Sequence, residues 1–422
     1  MKRIVLSSFL TISMVMSASA QSSGIKILSI DETENEMPVQ LMGLAISENG
    51  KYVAGTTMYS GSFVCEWQTG KYAYFSSSDS QLRGVDNNGR GVGYDNYTPI
   101  ILSIDGTKSA FEAGGDGGIA EATTPDGSIV CGSGDWVDFY ATHACIWKKN
   151  VKASLPEPTN KWLGFTNNGT SAKYINGDGT VIVGQIIDDM SSYPVVVWHM
   201  NMDSTYSVDP ICRKYFETGD GNKPYWLFSA SAVSNNGKWI ALTVQKNGSW
   251  NSIMARYDVE NDTLYLCDDS NISMYDNYIS TAIADDGTMI GYSESGMNMT
   301  RTSLIWKSGE GEQPKAFTEE WPSVSEFTKF DTDGFHVPCG ITPDGDCIVG
   351  FASDAETYGY NTYVFKISDH TTGVGSVSDD NSVLKNKVAA RYTVDGKRII
   401  KPVKGINIVR TADGRTHKEL VK

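Results

Sequence analysis

The chain has 422 residues, of which 40% are hydrophobic, 11% aromatic and 20% charged. This composition is too apolar for a disordered chain, and the 42 glycines follow no triplet period, which excludes collagen. The formal net charge is −15, and because so acidic a protein repels phosphate backbones, we expect no nucleic-acid partner. A single core stops growing near ~250–300 residues, so the chain must contain several domains or a repeated unit.

The N-terminus has the pattern of a secretory signal peptide. Lys2-Arg3 is followed by an apolar stretch over residues 4–16 and by Ala18-Ser19-Ala20, an A-x-A cleavage site. The alternative is a buried N-terminal strand. Nothing later in the sequence reaches the ~20 apolar residues of a membrane span. We therefore predict that residues 1–20 are removed and that the protein is secreted or placed at the cell surface, with the periplasm as the alternative.

A short phrase occurs seven times along the chain. It consists of a small residue (Tyr174 in the fourth repeat), an aliphatic residue, a small polar residue, any residue, Asn or Asp, then Gly, with Val or Ile three residues later. Its glycines are Gly50, Gly89, Gly127, Gly179, Gly237, Gly287 and Gly345. Asn-Gly and Asp-Gly favour tight hairpin turns, and the flanking aliphatic residues are typical of strands. We interpret the Asn and Asp side chains as turn formers rather than catalytic carboxylates or calcium ligands.

A second signal follows each turn glycine except that of repeat two. An apolar strand ends in an aromatic residue 17–20 positions after the glycine, and these residues are Trp67, Trp147, Trp198, Tyr257, Trp306 and Phe365. Another turn and strand come next, as at Lys71 to Phe75. Each repeat therefore predicts four antiparallel strands, and such units of ~40–50 residues repeated around an axis are propeller blades.

The predicted fold class is all-β, with a seven-bladed β-propeller over residues 24–370; six or eight blades is the alternative. Repeat seven lacks a fourth strand, whereas the apolar segment Ile25 to Ile30 before repeat one has no partner in its own repeat. We expect this N-terminal strand to complete the last blade and close the ring, because closure removes open sheet edges.

These repeats resemble the extracellular HAF-type repeats, which combine an A-x-x-I-x-x-x-G-x-x-V-G phrase with a following H-A-F-x-W. His143-Ala144-Cys145-Ile146-Trp147 is similar to the second part, with Cys145 in place of Phe. The Thr-Pro-Asp-Gly turns at 124–127 and 342–345 are similar to propeller repeats of the TolB kind. The resemblance implies a propeller and no particular activity.

The composition changes after residue 370. Residues 371–382 are small and polar and are typical of a linker. Residues 381–422 carry a net charge of +8, against −23 for residues 1–380. Within the segment 383–422 the pattern predicts strands over 390–394, 398–400 and 406–410 and a closing strand that ends at Val421.

This segment resembles the C-terminal tails that address Bacteroidetes proteins to the type IX secretion system. The similarity lies in residues 392–399 and 405–410, and it implies contact with the secretion machinery through Tyr392, Asp395, Gly396, Gly405 and Ile408. The segment departs from the family because Asn407 replaces an aromatic residue and because a full sorting domain is about twice as long. The alternatives are a small interaction hairpin and a basic tail that docks on the acidic propeller.

The sequence contains no pattern specific to an enzyme, a metal site or a cofactor. No H-E-x-x-H, G-x-S-x-G, P-loop or dinucleotide fingerprint occurs, so we predict no catalytic residue, no metal and no cofactor. The seven cysteines are odd in number and irregularly spaced. We expect most of them to be buried as small apolar residues, with a bridge between Cys131 and Cys145 as the alternative.

Three long connections lead into innermost strands, at the end of the channel where propellers bind ligands. Their aromatic and histidine side chains are Trp162, Phe165, Tyr225, Trp226, Phe335 and His336. Aromatic side chains can stack on sugar rings or anchor a peptide, and the alternative is that they pack between blades. We predict an exported binding module for a glycan or a protein. The alternatives are a propeller enzyme acting on polysaccharide, a glycosidase or lyase, and a structural or assembly protein.

Overall fold

The computed structural model describes residues 25–34, 37–112, 114, 117–138, 141–158, 169–186, 195–210, 225–246, 248–270, 272–273, 275–296, 300–307, 313–321, 336–353, 359–369, 388–393, 398–399, 404–411 and 416–421. The chain divides into two compact units, Met1–His370 and Thr371–Lys422. The predicted signal peptide and linker lie outside the described residues.

The first unit begins with β1 (Ile25–Leu28) and a short hairpin of β2 (Thr33–Glu34) and β3 (Met37–Pro38). Over the described residues, β1 and the 27 strands that follow β3 in the first unit form seven four-stranded antiparallel sheets. The innermost strands are β4 (Leu41–Ile46), β8 (Ser80–Val85), β12 (Ile119–Thr123), β16 (Thr170–Ile175), β20 (Tyr225–Val233), β24 (Asp276–Ile283) and β28 (His336–Ile341). The second strands are β5 (Tyr52–Thr57), β9 (Arg90–Asp95), β13 (Ile129–Asp138), β17 (Val181–Ile186), β21 (Trp239–Lys246), β25 (Met289–Ser295) and β29 (Cys347–Ser353).

The outer half of each sheet follows the same order. The third strands are β6 (Ser62–Glu66), β10 (Thr98–Ser103), β14 (Ala141–Lys148), β18 (Val195–Met200), β22 (Ser252–Asp258), β26 (Arg301–Trp306) and β30 (Tyr360–Lys366). The fourth strands are β7 (Lys71–Phe75), β11 (Lys108–Ala110), β15 (Val151–Ser154), β19 (Tyr206–Pro210), β23 (Thr263–Leu266), β27 (Lys315–Ala316) and, in blade 7, β1. A short helix, α1 (Phe317–Glu320), follows β27, and a 3₁₀ helix, Ile367–Asp369, follows β30.

The ring closes as the sequence predicted. β1 pairs antiparallel with β30, so that the N-terminal strand supplies the fourth strand of blade 7. Buried apolar side chains fill each of the seven interfaces between neighbouring blades in the described part of the chain, including that between blades 7 and 1. The fold is therefore an all-β, seven-bladed propeller. The predicted aromatic residues Trp147, Trp198, Trp306 and Phe365 lie near the ends of third strands and are buried.

The repeated phrase forms the turn between the first and second strand of each blade. All seven turn glycines have a positive φ, between 68° and 88°, which a residue without Cβ adopts at little cost. The Asn or Asp before the glycine acts as a turn former: Asp126 Oδ1, for example, accepts the backbone N–H of Ser128 at 2.9 Å. The turns also join blades, because Asn49 N donates to Asn87 Oδ1 at 2.9 Å and Asn236 N to Asp285 Oδ1 at 2.8 Å.

The Cys131–Cys145 bridge is wrong. Both cysteines are free thiols, on the neighbouring strands β13 and β14. Cys131 lies opposite Ile146, and Cys145 lies opposite Gly132, so the two positions differ by one step in register. Since side chains alternate between the faces of a sheet, the two thiols point to opposite sides. Cys131 packs toward blade 4, whereas Cys145 packs toward blade 2.

The second unit contains one four-stranded antiparallel sheet in its described part. Its strands are β31 (Val388–Thr393), β32 (Arg398–Ile399), β33 (Gly405–Thr411) and β34 (Thr416–Val421), arranged in the order β32-β31-β33-β34. Tyr392 lies opposite Ile408, and Gly405 begins the central strand β33. Asn407, where secretion tails have an aromatic residue, is buried. Asp395 and Gly396 lie outside the described residues.

Candidate ligand-binding site

The two faces of the propeller differ in their connections. Because the strands of a blade alternate in direction, the tight turns of the repeated phrase lie on one face, which we call the turn face. The connections from second to third strands and from fourth to first strands lie on the other, which we call the loop face. In the described residues it includes residues 58–61, 96–97, 248–251 and 275.

The predicted ligand residues fall partly on this loop face. Tyr225 begins β20 and His336 begins β28, both half-buried, so each stands where an innermost strand starts. Trp226 follows Tyr225 at a register shift between β20 and β21. Trp162, Phe165 and Phe335 lie outside the described residues. The ligand role of all six residues stays a prediction.

Exposed aromatic side chains that the sequence analysis missed concentrate on the same face. Tyr59, Tyr97, Trp250 and Tyr275 are 62%, 40%, 81% and 54% exposed. Tyr59, Tyr97 and Trp250 stand in connections between second and third strands, and Tyr275 precedes β24. The loops of blades 5 and 6 are linked, since Asn251 Nδ2 donates to the backbone oxygens of Ser273 and Asp276, each at 2.6 Å. In the sequence these four aromatic residues could have been recognised because each stands in a connection between strands, where packing between strands cannot bury it.

A bulge at one fixed position marks every innermost strand. The register shifts by one residue six positions before each turn glycine, at Leu44, Arg83, Glu121, Lys173, Ser231, Thr281 and Cys339. Equivalent positions of blades arranged around an axis form a ring, so we call these seven residues the bulge ring. A bulge re-aims its side chain away from the ladder. The sequence signal was the position directly before each repeated phrase, where the residue is apolar, charged or polar from one repeat to the next.

Charge is concentrated on one side of the bulge ring. Arg83 Nη1 donates to Glu121 Oε2 at 2.6 Å, and Lys173 Nζ donates to Glu121 Oε1, so blades 2, 3 and 4 are joined by ion pairs. Burial by itself raises the pKa of Glu121, but Lys173 and Arg83 outweigh it and hold that pKa below its usual range. Glu121 is therefore an ionised anchor between two cations. It is not a proton donor at neutral pH.

The rest of the bulge ring is neutral. Ser231 Oγ lies 2.5 Å from Ser280 Oγ, and Thr281 Oγ1 donates to the backbone oxygen of Ile290 at 3.2 Å. Burial raises the pKa of the Cys339 thiol to about 12, so this cysteine is uncharged at neutral pH. A nucleophilic thiolate is therefore not available at this position.

A pair of carboxylates lies at the turn face. Glu48 and Asp285 each occupy the position two residues before a turn glycine, in blades 1 and 6. Partial burial, together with the negative charge of Asp285, raises the pKa of Glu48 to about 7. Asp285 is fixed by the backbone N–H of Asn236. Among the described residues, no group of three or more His, Cys, Asp or Glu side chains is arranged to hold a metal ion.

The fold and these two faces define the chain as a seven-bladed β-propeller protein. Similar solved structures include TolB of Acinetobacter baumannii, with 16% identity and a TM-score of 0.35 over 64% of this chain and 67% of that one. Oligogalacturonate lyase of Vibrio parahaemolyticus has 10% identity and a TM-score of 0.47, over 81% and 96%. Hydrazine synthase of Kuenenia stuttgartiensis has 13% identity and a TM-score of 0.46, over 76% and 94%. At such identities the likeness concerns the fold alone.

No family model and no curated protein matches the chain. The resemblance to HAF-type repeats and to type IX secretion tails therefore stays a prediction. In the part of the chain that the structure describes, no helix is long and apolar enough to cross a membrane.

Proposed function

We propose that this protein is an exported binding module that holds a glycan or protein ligand on its loop face. The observation that supports it is the concentration of exposed aromatic side chains there, Tyr59, Tyr97, Trp250 and Tyr275. Such side chains supply large, rigid contact area to sugar rings or to a partner protein. Tyr225 and His336 stand on the same face and extend the proposed site toward the channel.

The bulge ring favours binding over catalysis. Its carboxylate, Glu121, is ion-paired with both Arg83 and Lys173 and has a lowered pKa. Glycoside hydrolysis needs a carboxylic acid with a raised pKa and a second carboxylate ~5–10 Å away. Glu121 does not meet that requirement, whereas two partly exposed cations beside it are suited to hold a ligand.

Binding can be tested with glycan arrays and with pull-downs from the extracellular proteome of the source organism. We expect Tyr97→Ala, Trp250→Ala and Tyr275→Ala each to weaken binding by about 10-fold, the effect of losing one well-packed aromatic contact. Met202→Ala is the matched control, because Met202 is fully exposed in a turn-face connection. A ligand bound equally well by these variants, and by the triple variant with Ala at Trp162, Tyr225 and Trp226, would exclude the loop face.

A polysaccharide-acting enzyme is the second candidate, supported by Glu48 and Asp285 at the turn face. A carboxylic acid whose pKa is raised to about 7 by burial and by the charge of a second carboxylate has a property of a general acid. Reducing-end release from a panel of polysaccharides is the test. Turnover that is abolished by both Glu48→Gln and Asp285→Asn would establish an enzyme, and the absence of turnover on the whole panel would argue against it.

Export is part of the proposal and has its own tests. N-terminal sequencing of the protein recovered outside the cytoplasm should begin at Gln21, after the Ala18-Ser19-Ala20 site. A chain truncated after residue 370 should accumulate in the periplasm if the C-terminal unit is a secretion tail. Unchanged secretion of the truncated chain would contradict the tail's role and leave the signal peptide unaffected.

A further inference from the structure

The charged side of the bulge ring has an excess of one positive charge. Arg83 and Lys173 are cations, and the ionised Glu121 between them neutralises one of the two. The side chain of Glu121 is 5% exposed, whereas those of Arg83 and Lys173 are 30% and 26% exposed. The buried carboxylate therefore anchors two cations that remain in contact with solvent.

Arg83 is held in a defined orientation. Its Nε donates to Gln81 Oε1 at 2.7 Å, its Nη1 donates to Glu121, and its guanidinium lies 5.4 Å from the centre of the Tyr94 ring. A planar guanidinium fixed on three sides loses little freedom when it binds an anion, and its fork matches the two oxygens of a carboxylate. Binding at such a preorganised cation costs less than binding at a mobile surface lysine.

Two stacked tyrosines connect this cation to the loop face. The rings of Tyr94 and Tyr97 are 6.3 Å apart with an interplanar angle of 14°. Asn96 and Tyr97 have φ values of 48° and 58° and form the two-residue turn between β9 and β10, a type of hairpin turn that needs a positive φ at both positions. This turn places the partly exposed Tyr97 ring on the face of the proposed binding site.

From this arrangement we infer that Tyr97, Arg83 and Lys173 form a subsite for a sugar residue that carries one carboxylate. The inference rests on the proposed binding function and names its ligand class. The aromatic ring stacks on the sugar, and the cations bind its carboxylate. Residues 1–380 carry a net charge of −23, which repels long polyanions, so the fitting ligand is an acidic sugar at or near the end of a largely neutral glycan. An acidic peptide is the alternative ligand that the experiment distinguishes.

The test compares a glucuronate-terminated oligosaccharide with its glucose-terminated counterpart by calorimetry on the full-length mature protein. We expect the acidic sugar to bind more tightly and Arg83→Gln to reduce that preference by about 10- to 100-fold, the range for a lost charge-assisted contact. Arg90→Gln is the matched control, because Arg90 also pairs with a buried carboxylate of blade 2, Asp86, but at the turn face.

Two further variants keep the test decisive if Arg83→Gln does not fold. Glu121→Gln removes the neutralising charge and should tighten binding of the acidic sugar by about 10-fold, whereas Tyr97→Ala should weaken both sugars equally. Equal binding of the two sugars would overturn the inference and leave the binding function standing. Binding of an acidic peptide with no sugar bound, or a preference for the acidic sugar that survives Arg83→Gln and Lys173→Met, would also overturn it.

Discussion

Ile25 lies directly opposite Phe365, and both side chains are buried in the cluster between blades 6 and 7. This pair joins the beginning of the described chain to the end of the last repeat. The entropic cost of closing a loop rises only slowly with its length. The apolar area that Ile25 and Phe365 bury therefore offsets the cost of joining two segments from opposite ends of the propeller sequence. The same strand pairing covers the edge of β30, which would otherwise be open to another chain.

Closure through β1 makes the N-terminal strand important for stability. We expect Ile25→Asp to lower the free energy of unfolding by about 3 kcal/mol or more, because it places a carboxylate in an apolar site. Ser29→Asp, one residue after β1 at an exposed position, is the control for the added charge. Urea unfolding followed by tryptophan fluorescence measures both. Equal stability of the two variants would show that β1 does not hold the ring closed.

Two glycines with a positive φ, Gly89 in a repeated phrase and Gly248 in a loop-face connection, differ in what surrounds them. Gly89 has a φ of 74°, and a Cβ there would lie 2.8 Å from the ring of Tyr52; Gly248 has a φ of 81° with no heavy atom within 4 Å. We expect Gly248→Ala to cost about 1 kcal/mol from backbone strain, and Gly89→Ala to cost about 1–3 kcal/mol more from overpacking. Chemical denaturation of both variants checks the difference. A smaller loss for Gly89→Ala would mean that the Tyr52 ring moves aside.

Glu48 should make stability depend on pH near neutrality. Its pKa is raised from 4.5 to about 7, first by burial and second by Asp285. A raised carboxyl pKa adds stability that is fully present below about pH 4.5 and is lost as the pH rises through about 7. Glu48→Gln should therefore increase stability at pH 8, by about 1 kcal/mol after allowance for solvent screening, and have little effect at pH 4.5.

Melting temperatures of this variant at pH 4.5 and pH 8 provide the measurement. Glu260→Gln, at an exposed position, removes the same charge and serves as the control. If Glu48→Gln shifted the melting temperature equally at both pH values, Glu48 would not titrate in this range.

The cysteines should be unreactive in the native protein. Cys65, Cys131, Cys145, Cys267 and Cys347 are buried free thiols. Burial raises the pKa values of Cys65, Cys145 and Cys267 to about 12, which leaves almost no nucleophilic thiolate at pH 8. We expect iodoacetamide to modify these five only after unfolding, as read by peptide mass spectrometry. Rapid labelling of Cys131 in the native state would contradict this, and a melting temperature lowered by dithiothreitol would indicate a bridge.

The sequence by itself determined the blades. A turn that needs a glycine at positive φ, flanked by aliphatic residues, is a local requirement, so Gly50 and its six equivalents identified each hairpin. Lys71–Phe75 was predicted with the bounds that the structure has. The seventh repeat lacks a fourth strand, and the strand at Ile25 has no partner in its own repeat. The closure of the ring was predicted because the N-terminal strand can fill the position that is missing in blade 7.

Only the tertiary structure decided which side chains share a site. Arg83, Glu121 and Lys173 are 38 and 52 residues apart along the chain, and their ion pairs exist because one bulge recurs in adjacent innermost strands. The opposite facing of Cys131 and Cys145 followed from a one-residue register difference that no local pattern specifies. The loop-face position of Tyr97 and Trp250 follows from their places between second and third strands, whereas their exposure depends on what packs around those connections. Local turn and strand chemistry is encoded in neighbouring residues, whereas the chemistry of a propeller channel arises from long-range packing that brings distant repeats together.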